Sequence, residues 1–153
     1  MSLEDWRRID IDQYDADAQY VADELPEGNS TATVSDMQAL STKLRGLIQR
    51  MDIGEAFKTS IEFAPYGAGE DVCDAFLRGV FEIFTNVKMN DIPNIVTSLD
   101  LDVLDVVVKY IYTLMGKEFA LKQSGLLLVW LDRIVDKVGE GPIIRYLSDP
   151  YKL

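Results

Sequence analysis

The sequence contains no histidine, and this absence excludes several kinds of site at once. Without an imidazole the chain can build neither a Ser-His-Asp nor a Cys-His catalytic group, nor any metal site with a histidine ligand. Its single cysteine, Cys73, cannot form an internal disulfide and lies on the apolar stripe of a predicted helix. We therefore interpret Cys73 as a buried, inert residue and not as a nucleophile.

Long apolar runs and an excess of basic charge are also missing. The longest uninterrupted apolar run, LLLVWL at residues 126–131, is too short to cross a bilayer, and MSLEDWRRID lacks the apolar centre of a secretion signal. The chain has 15 basic and 26 acidic residues, a formal net charge of −11. Because nucleic acids and anionic membranes are bound through Lys and Arg, neither is an expected partner. These features predict a soluble intracellular protein.

The 153 residues, 48% of them hydrophobic, suffice for one folded core. The segment Pro26-Glu27-Gly28-Asn29-Ser30-Thr31 is rich in turn-forming residues and has little to bury. It separates an acidic opening segment from the rest of the chain. We predict an extended N-terminal arm and linker over residues 1–34 and a core domain over residues 35–153.

Helical spacing of apolar residues runs through the predicted core. Ser35 followed by Gln38 fits a capping box and predicts the start of the first helix. In residues 103–115, β-branched side chains favour a strand, but the spacing of Asp102, Asp105 and Lys109 favours a nearly all-buried helix. The predicted helices lie at 36–50, from Asp52 to near Pro65, and at 70–88, 92–99, 103–115 and 118–138, with a short one opened by Pro142.

An apolar spacing of 0, 4, 9 and 13 residues occurs three times, each time across a predicted turn between two helices. This repetition suggests stacked helix hairpins. The predicted fold class is therefore all-α, with a short α-α superhelical (solenoid-like) core of six or seven helices and an extended N-terminal arm. The three sets are Leu44, Ile48, Ile53 and Phe57; Ile83, Val87, Ile92 and Val96; and Ile134, Val138, Ile143 and Leu147.

Other chemical readings of the sequence are weaker. A calcium loop begun at Asp10 would put Val21 where the bidentate Glu belongs, so the spacing excludes an EF-hand. Gly67 to Gly69 lacks the Lys and Ser/Thr of a phosphate loop and is interpreted as a turn. Catalysis by a carboxylate pair stays open, because the separations of the acids are unknown. The large side chains on helical stripes are interpreted as core rather than pocket: Phe76, Phe81, Phe84, Met115 and Trp130.

The arm contains an ordered pattern in RRIDIDQYD. Ile9 and Ile11 alternate with Asp10 and Asp12, which places apolar and acidic side chains on opposite sides of an extended chain. An extended peptide docked on a partner needs this order, whereas a merely solvated tail does not. A docking arm and a disordered acidic tail remain the two interpretations, and we favour the first.

Three blocks of the sequence resemble a known family, subunit 5 (the 16-kDa subunit) of the actin-related protein 2/3 complex. They are RRIDIDQYD at 7–15, FTNVKMNDIPNIVTSLDLDVLDVVVKYIYTLM at 84–115 and LLLVWLDRIVDKVGEGPIIRYLSD at 126–149. No single block is diagnostic, but all three stand in the family's order and together cover about two fifths of the chain.

The resemblance implies a non-catalytic structural subunit without cofactor or metal, in the cytoplasmic actin cytoskeleton, within the assembly that nucleates branched actin filaments. It further implies that the core docks on scaffold subunits, chiefly subunit 4, while the arm tethers the actin-related protein 2 subunit. A free-standing helical adaptor is the alternative. Carried over to this sequence, the arm contacts fall on Arg7, Arg8, Ile9, Asp10, Ile11, Asp12, Tyr14 and Asp15.

Overall fold

The computed structural model describes residues 31–150 and Leu153. Over this part the chain forms seven α-helices and one 3-10 helix and no strand, so the predicted all-α class is confirmed. None of these helices is long and apolar enough to span a membrane. The helices are α1 (Val34–Gln49), α2 (Ile53–Glu62), α3 (Glu70–Thr85), α4 (Ile92–Ser98), α5 (Leu101–Met115), the 3-10 helix (Glu118–Gln123), α6 (Ser124–Val138) and α7 (Gly141–Ser148).

The start of α1 differs from the prediction. Thr33, not Ser35, is the N-cap, and Val34 is already helical. The Thr33 hydroxyl accepts a hydrogen bond from the Asp36 N–H at 3.3 Å, while the Asp36 carboxylate accepts the Thr33 N–H at 2.9 Å. These two bonds satisfy backbone donors that have no partner inside the helix. The predicted capping box of Ser35 and Gln38 is therefore wrong by two residues.

The predicted helix at 118–138 divides into two elements. Glu118–Gln123 winds as a 3-10 helix, and α6 begins only at Ser124. Phe119 packs edge-on against Phe81 with ring centroids 5.8 Å apart, and Ala120 is buried beside it. A short 3-10 helix of this kind is a common connector before the start of an α-helix. At the other end Gly139, with φ of +75°, terminates α6, and α7 then opens at Gly141 and Pro142 as expected.

Helix α5 confirms the helical interpretation of its strand-like sequence. It contacts α2, α3, α6 and α7 and is buried on most sides, so its β-branched residues pack against neighbouring helices. The charges that indicated a helix do not pair with one another. Lys109 binds Asp149, and Asp105 binds Arg145.

The core is centred on three aromatic rings. Trp130 packs edge-on against Phe57 and Phe84 with centroid distances of 5.9 and 5.4 Å, and these two phenylalanines are 5.3 Å apart. Phe76 is also buried, whereas Phe81 and Met115 are only partly covered. The core interpretation of these aromatic side chains therefore holds, most fully for the three innermost rings.

The repeated spacing is reproduced unequally. Helix α1 stacks on α3 and α2 on α4, as expected of adjacent hairpins, with α5 inserted beside them. All members of the first and second sets are buried. In the third set Ile134 is buried, but Leu147 is 74% exposed. In the third hairpin, formed by α6 and α7, the repeated apolar spacing thus ends on a solvent-exposed side chain.

Candidate docking surface

The predicted partner-binding residues of the arm lie outside the residues that the structure describes. Arg7, Arg8, Ile9, Asp10, Ile11, Asp12, Tyr14 and Asp15 all precede Thr31, so the structure brings none of them together. The candidate surface described below lies on α6 and α7 and was not predicted from the sequence.

Helix α7 is attached to α5 largely through polar and aromatic contacts. Arg145 donates two hydrogen bonds of 2.7 Å to the Asp105 carboxylate, and this pairing raises the pKa of the guanidinium. Tyr146 stacks on Tyr112 with ring centroids 4.7 Å apart and planes 7° from parallel. Pro142 is the only fully buried residue of α7. Ile143 and Tyr146 also pack against the core, while Arg145 is itself 58% exposed and reaches Asp105 from the surface.

A buried ion pair fixes the chain just after α7. Lys109 on α5 is only 5% exposed, and its Nζ lies 2.7 Å from the Asp149 carboxylate. The same ammonium lies 4.5 Å from the centroid of the Tyr66 ring. A buried charge needs such partners, because desolvation would otherwise be costly. Asp149 and Arg145 together hold α7 in one orientation.

The opposite side of α7 is apolar and faces outward. Ile144 is 62% exposed and Leu147 74% exposed, while Leu128 on α6 is 53% exposed. We call Leu128, Ile144 and Leu147 the α6–α7 outer surface. Scattered exposed leucines are ordinary, but Ile144 and Leu147 are two large apolar side chains exposed about one turn apart on the same short helix. This orientation leaves α7's most apolar side chains available for contact with another molecule.

A shallow apolar groove lies along α6 and includes Leu128, one of these three exposed residues. It has a volume of ≈ 500 Å³, and Asp132 is the only charged residue among those that line it in the described chain. A groove of this kind can receive apolar side chains of a protein partner, and it lacks the converging acids that catalysis by a carboxylate pair would need. The lining residues are Leu128, Val129, Leu131, Asp132, Val135 and Ile143.

Cys73 has the surroundings of a structural cysteine. It is buried on α3, and its Sγ lies 3.7 Å from the carbonyl oxygens of Pro65 and Ala68. Burial is the largest influence on the thiol and raises its pKa, while the nearby positive charge of Lys117 partly opposes this rise. A raised pKa lowers the thiolate fraction at neutral pH, so the geometry agrees with the inert interpretation.

The sequence does carry a signal for the α6–α7 outer surface. LLLVWL at 126–131 is apolar at every position and therefore covers all sides of a helix. One helix beside one core buries only part of such a run, as Leu127 and Trp130 are buried while Leu128 is exposed. The surplus apolar side indicates a second contact, although the run alone does not say which residue faces out.

Comparison with known proteins gives a consistent family. Residues 5–152 match the family described as ARP2/3 complex 16 kDa subunit (p16-Arc). The actin-related protein 2/3 complex subunit 5 of Saccharomyces cerevisiae is 36% identical over 147 residues, covering 95% of this chain and 96% of that relative. The human subunit 5-like protein is 29% identical, covering 94% of this chain and 91% of that relative. Subunit 5-B of Xenopus laevis is 28% identical with the same coverage.

Proposed function

Because the chain belongs to the ARP2/3 complex 16 kDa subunit family, we propose that it is a non-catalytic structural subunit of the actin-related protein 2/3 complex. This assembly nucleates branched actin filaments, so the chain would work in the cytoplasmic actin cytoskeleton and meet filaments through the complex. The resemblance seen in three sequence blocks supports the same assignment.

The observation that carries the proposal is the α6–α7 outer surface. A subunit of a stable assembly must hide apolar area against its neighbours, and interface cores are enriched in such side chains. Ile144 and Leu147 are exposed, while Tyr146 stacks on Tyr112 of α5 and Pro142 is buried. We infer that this surface docks the core on a scaffold subunit, chiefly subunit 4.

The α6–α7 outer surface can be tested with charge substitutions in the native complex. Ile144→Asp combined with Leu147→Asp should leave the isolated chain folded, because both side chains are already solvent-exposed. Docking on a partner would bury the two new aspartates as unpaired charges in an apolar interface. We therefore expect incorporation into the complex to fall by roughly tenfold or more. The measurement is co-purification of the tagged chain with the other subunits at fixed stoichiometry.

Met51→Asp is the matched control. Met51 is 59% exposed and lies at the turn between α1 and α2 with a φ of 60°, a backbone conformation that Asp tolerates well. This control should enter the complex normally. Normal incorporation of the Ile144→Asp, Leu147→Asp chain would exclude the surface as a docking site. Recovery of the unaltered chain without any actin-related protein would instead favour a free-standing adaptor.

For the arm, we propose that residues 7–15 bind the actin-related protein 2 subunit and tether it to the core. A linker between an anchored core and a bound arm raises the local concentration of the arm near its target. Ile9→Asp with Ile11→Asp removes the apolar side of the alternating pattern, so actin-related protein 2 should dissociate more readily while the core remains incorporated.

The control for the arm is Ala16→Asp with Ala18→Asp, which adds the same charge outside the alternating pattern. Retention of actin-related protein 2 on washing the immobilised complex with increasing salt separates the two variants. Equal retention would mean that the pattern at Ile9 and Ile11 does not carry the tether.

A further inference from the structure

A second apolar groove lies on α1 and α2, and none of its lining residues belongs to α6 or α7. It runs between the first half of α1 and the end of α2, with a volume of ≈ 420 Å³. The buried side chains of Met37 and Leu40 form its floor, and the ring of Phe63, 45% exposed, forms one wall. We call this the α1–α2 groove. An exposed phenylalanine beside a buried apolar floor leaves a site that a further apolar side chain would complete.

The part of the chain that the structure describes begins at this groove, because Thr31 and Ala32 are among its lining residues. We propose that residues 20–27 of the same chain dock in the α1–α2 groove, with Leu25 against Met37 and Leu40 and the neighbouring acids facing Lys43.

Length and turn chemistry permit this arrangement. The path from Leu25 to Thr31 has six residues and reaches about 20 Å at most, whereas the two helical turns from Asp36 to Lys43 measure about 11 Å. Pro26 and Gly28 between them are residues that favour a reversal of chain direction. Leu25 is therefore able to return over the start of α1.

Charge also favours this segment as the occupant. Lys43 lies at the groove, and its Nζ is 5.2 Å from the centroid of the Phe63 ring. The groove's own acid, Asp36, is already engaged, since it accepts hydrogen bonds from the Thr33 N–H at 2.9 Å and hydroxyl at 2.6 Å. The proposed occupant is acidic, since it contains Asp23, Glu24 and Glu27, and its charge is therefore opposite to that of Lys43.

A segment of the same chain is a better occupant than a second copy. Each chain carries a net charge of −11, so two copies repel each other. A tethered segment, in contrast, is present at an effective concentration of about a millimolar regardless of protein concentration. Weak apolar and ionic contacts are then enough to fill the groove.

Docking of residues 20–27 would set the reach of the arm. The free part would shrink from about 30 residues to about 19, or from about 105 Å to about 65 Å at full extension. This consequence rests on the proposed tethering function, whereas the docking itself does not and is measured on the chain alone.

Disulfide trapping in the full chain provides the test. In a Cys73→Ser background, Ala22→Cys, which lies in the proposed segment and leaves Leu25 and the neighbouring acids unchanged, is combined with either Ala39→Cys or Gln38→Cys. Ala39 lines the groove, whereas Gln38 is its exposed neighbour about 100° further round α1. The two pairs have nearly equal loop lengths, so chain entropy does not distinguish them.

We expect the pair with Ala39→Cys to close about tenfold more readily in a glutathione buffer, the factor that half of the usual gain from burying a leucine would give. Adding Phe63→Ala or Lys43→Glu, both at exposed positions, should remove most of this advantage. Equal closure of the two pairs would overturn the proposal, and so would cross-linked dimers that increase with protein concentration. Loss of arm tethering with unchanged closure would count against the proposed function only.

Discussion

Ile53 and Phe57 on α2 hold the same places in the repeated apolar spacing as Ile143 and Leu147 on α7. The first pair is buried, whereas Leu147 is 74% exposed and Ile143 is only partly covered. Helix α2 packs against α1, α3, α4 and α5, so it is covered from several directions. Helix α7 packs mainly against α5 and α6. Equal spacing therefore marks equal position on a helix and says nothing of what lies opposite.

The two helices also differ in what attaches them. Phe57 contributes to the aromatic cluster around Trp130, and no charged side chain is buried on α2. Helix α7 buries only Pro142, packs Ile143 and Tyr146 against the core, and adds a surface ion pair from Arg145 to Asp105. Because so little of α7 is buried, Ile144 and Leu147 are exposed and available for another contact. The same pattern thus serves folding on α2 and, on our proposal, assembly on α7.

The strongest test of this contrast is removal of equivalent side chains. Phe57→Ala opens a cavity beside two aromatic rings and should lower the free energy of unfolding by about 3–5 kcal/mol. Leu147→Ala removes an exposed side chain and should change it by less than about 0.5 kcal/mol. Urea denaturation of both isolated variants measures the difference. A large loss for Leu147→Ala would mean that α7 is held by its apolar side after all.

A second test compares two ion pairs made with α5. The buried pair involves Asp149, just after α7, and the more exposed pair involves Arg145 on α7 itself. Asp149→Asn leaves the charge of Lys109, which is only 5% exposed, without its carboxylate. Allowing for the partial exposure of Asp149, we expect a loss of about 1–3 kcal/mol. Asp105→Asn affects a more exposed pair with Arg145 and should cost clearly less. Equal unfolding midpoints for the two variants would contradict this order.

Much of the helical fold was predictable from spacing. The sequence predicts a helix start at Asp52 and a helix end at residue 138, and the structure has the α2 N-cap at Asp52 and the end of α6 at Val138. Helix α5 was correctly assigned from the spacing of its charges. Lys109 nevertheless forms its ion pair with Asp149 and not with an acid of the same helix. Local patterns fix the helix, because turn geometry depends on near neighbours, whereas ion pairs depend on contacts about forty residues away.

The candidate docking surface was harder to predict from the sequence than the helices were. The exposure of Leu147 depends on which helices lie opposite α7, and no local pattern records this. The alternation of Ile9 and Ile11 identified the arm instead, and those residues lie outside the part that the structure describes. Only the surplus of apolar positions in 126–131 indicated an outward contact.

The start of α1 provides a further comparison between a sequence pattern and the contact that actually forms. Thr33 with Asp36 and Ser35 with Gln38 both fit a helix-capping pattern, but only Thr33 makes the capping bonds. Thr33→Ala should lower the free energy of unfolding by about 1 kcal/mol, whereas Ser35→Ala should leave it nearly unchanged. Thermal unfolding followed by circular dichroism at neutral pH compares the two.

Lowering the pH provides an internal control for the small loss of stability expected of Thr33→Ala. The hydrogen bond from the Thr33 hydroxyl is the main cause that lowers the pKa of Asp36 in the folded chain. A lowered folded pKa stabilises the fold above the unfolded pKa, and this contribution is lost as pH falls through the folded pKa. The gap between Thr33→Ala and the unaltered chain should therefore narrow toward about pH 3, while Ser35→Ala follows the unaltered chain throughout. A gap that stays constant with pH would show that the hydroxyl acts without the carboxylate.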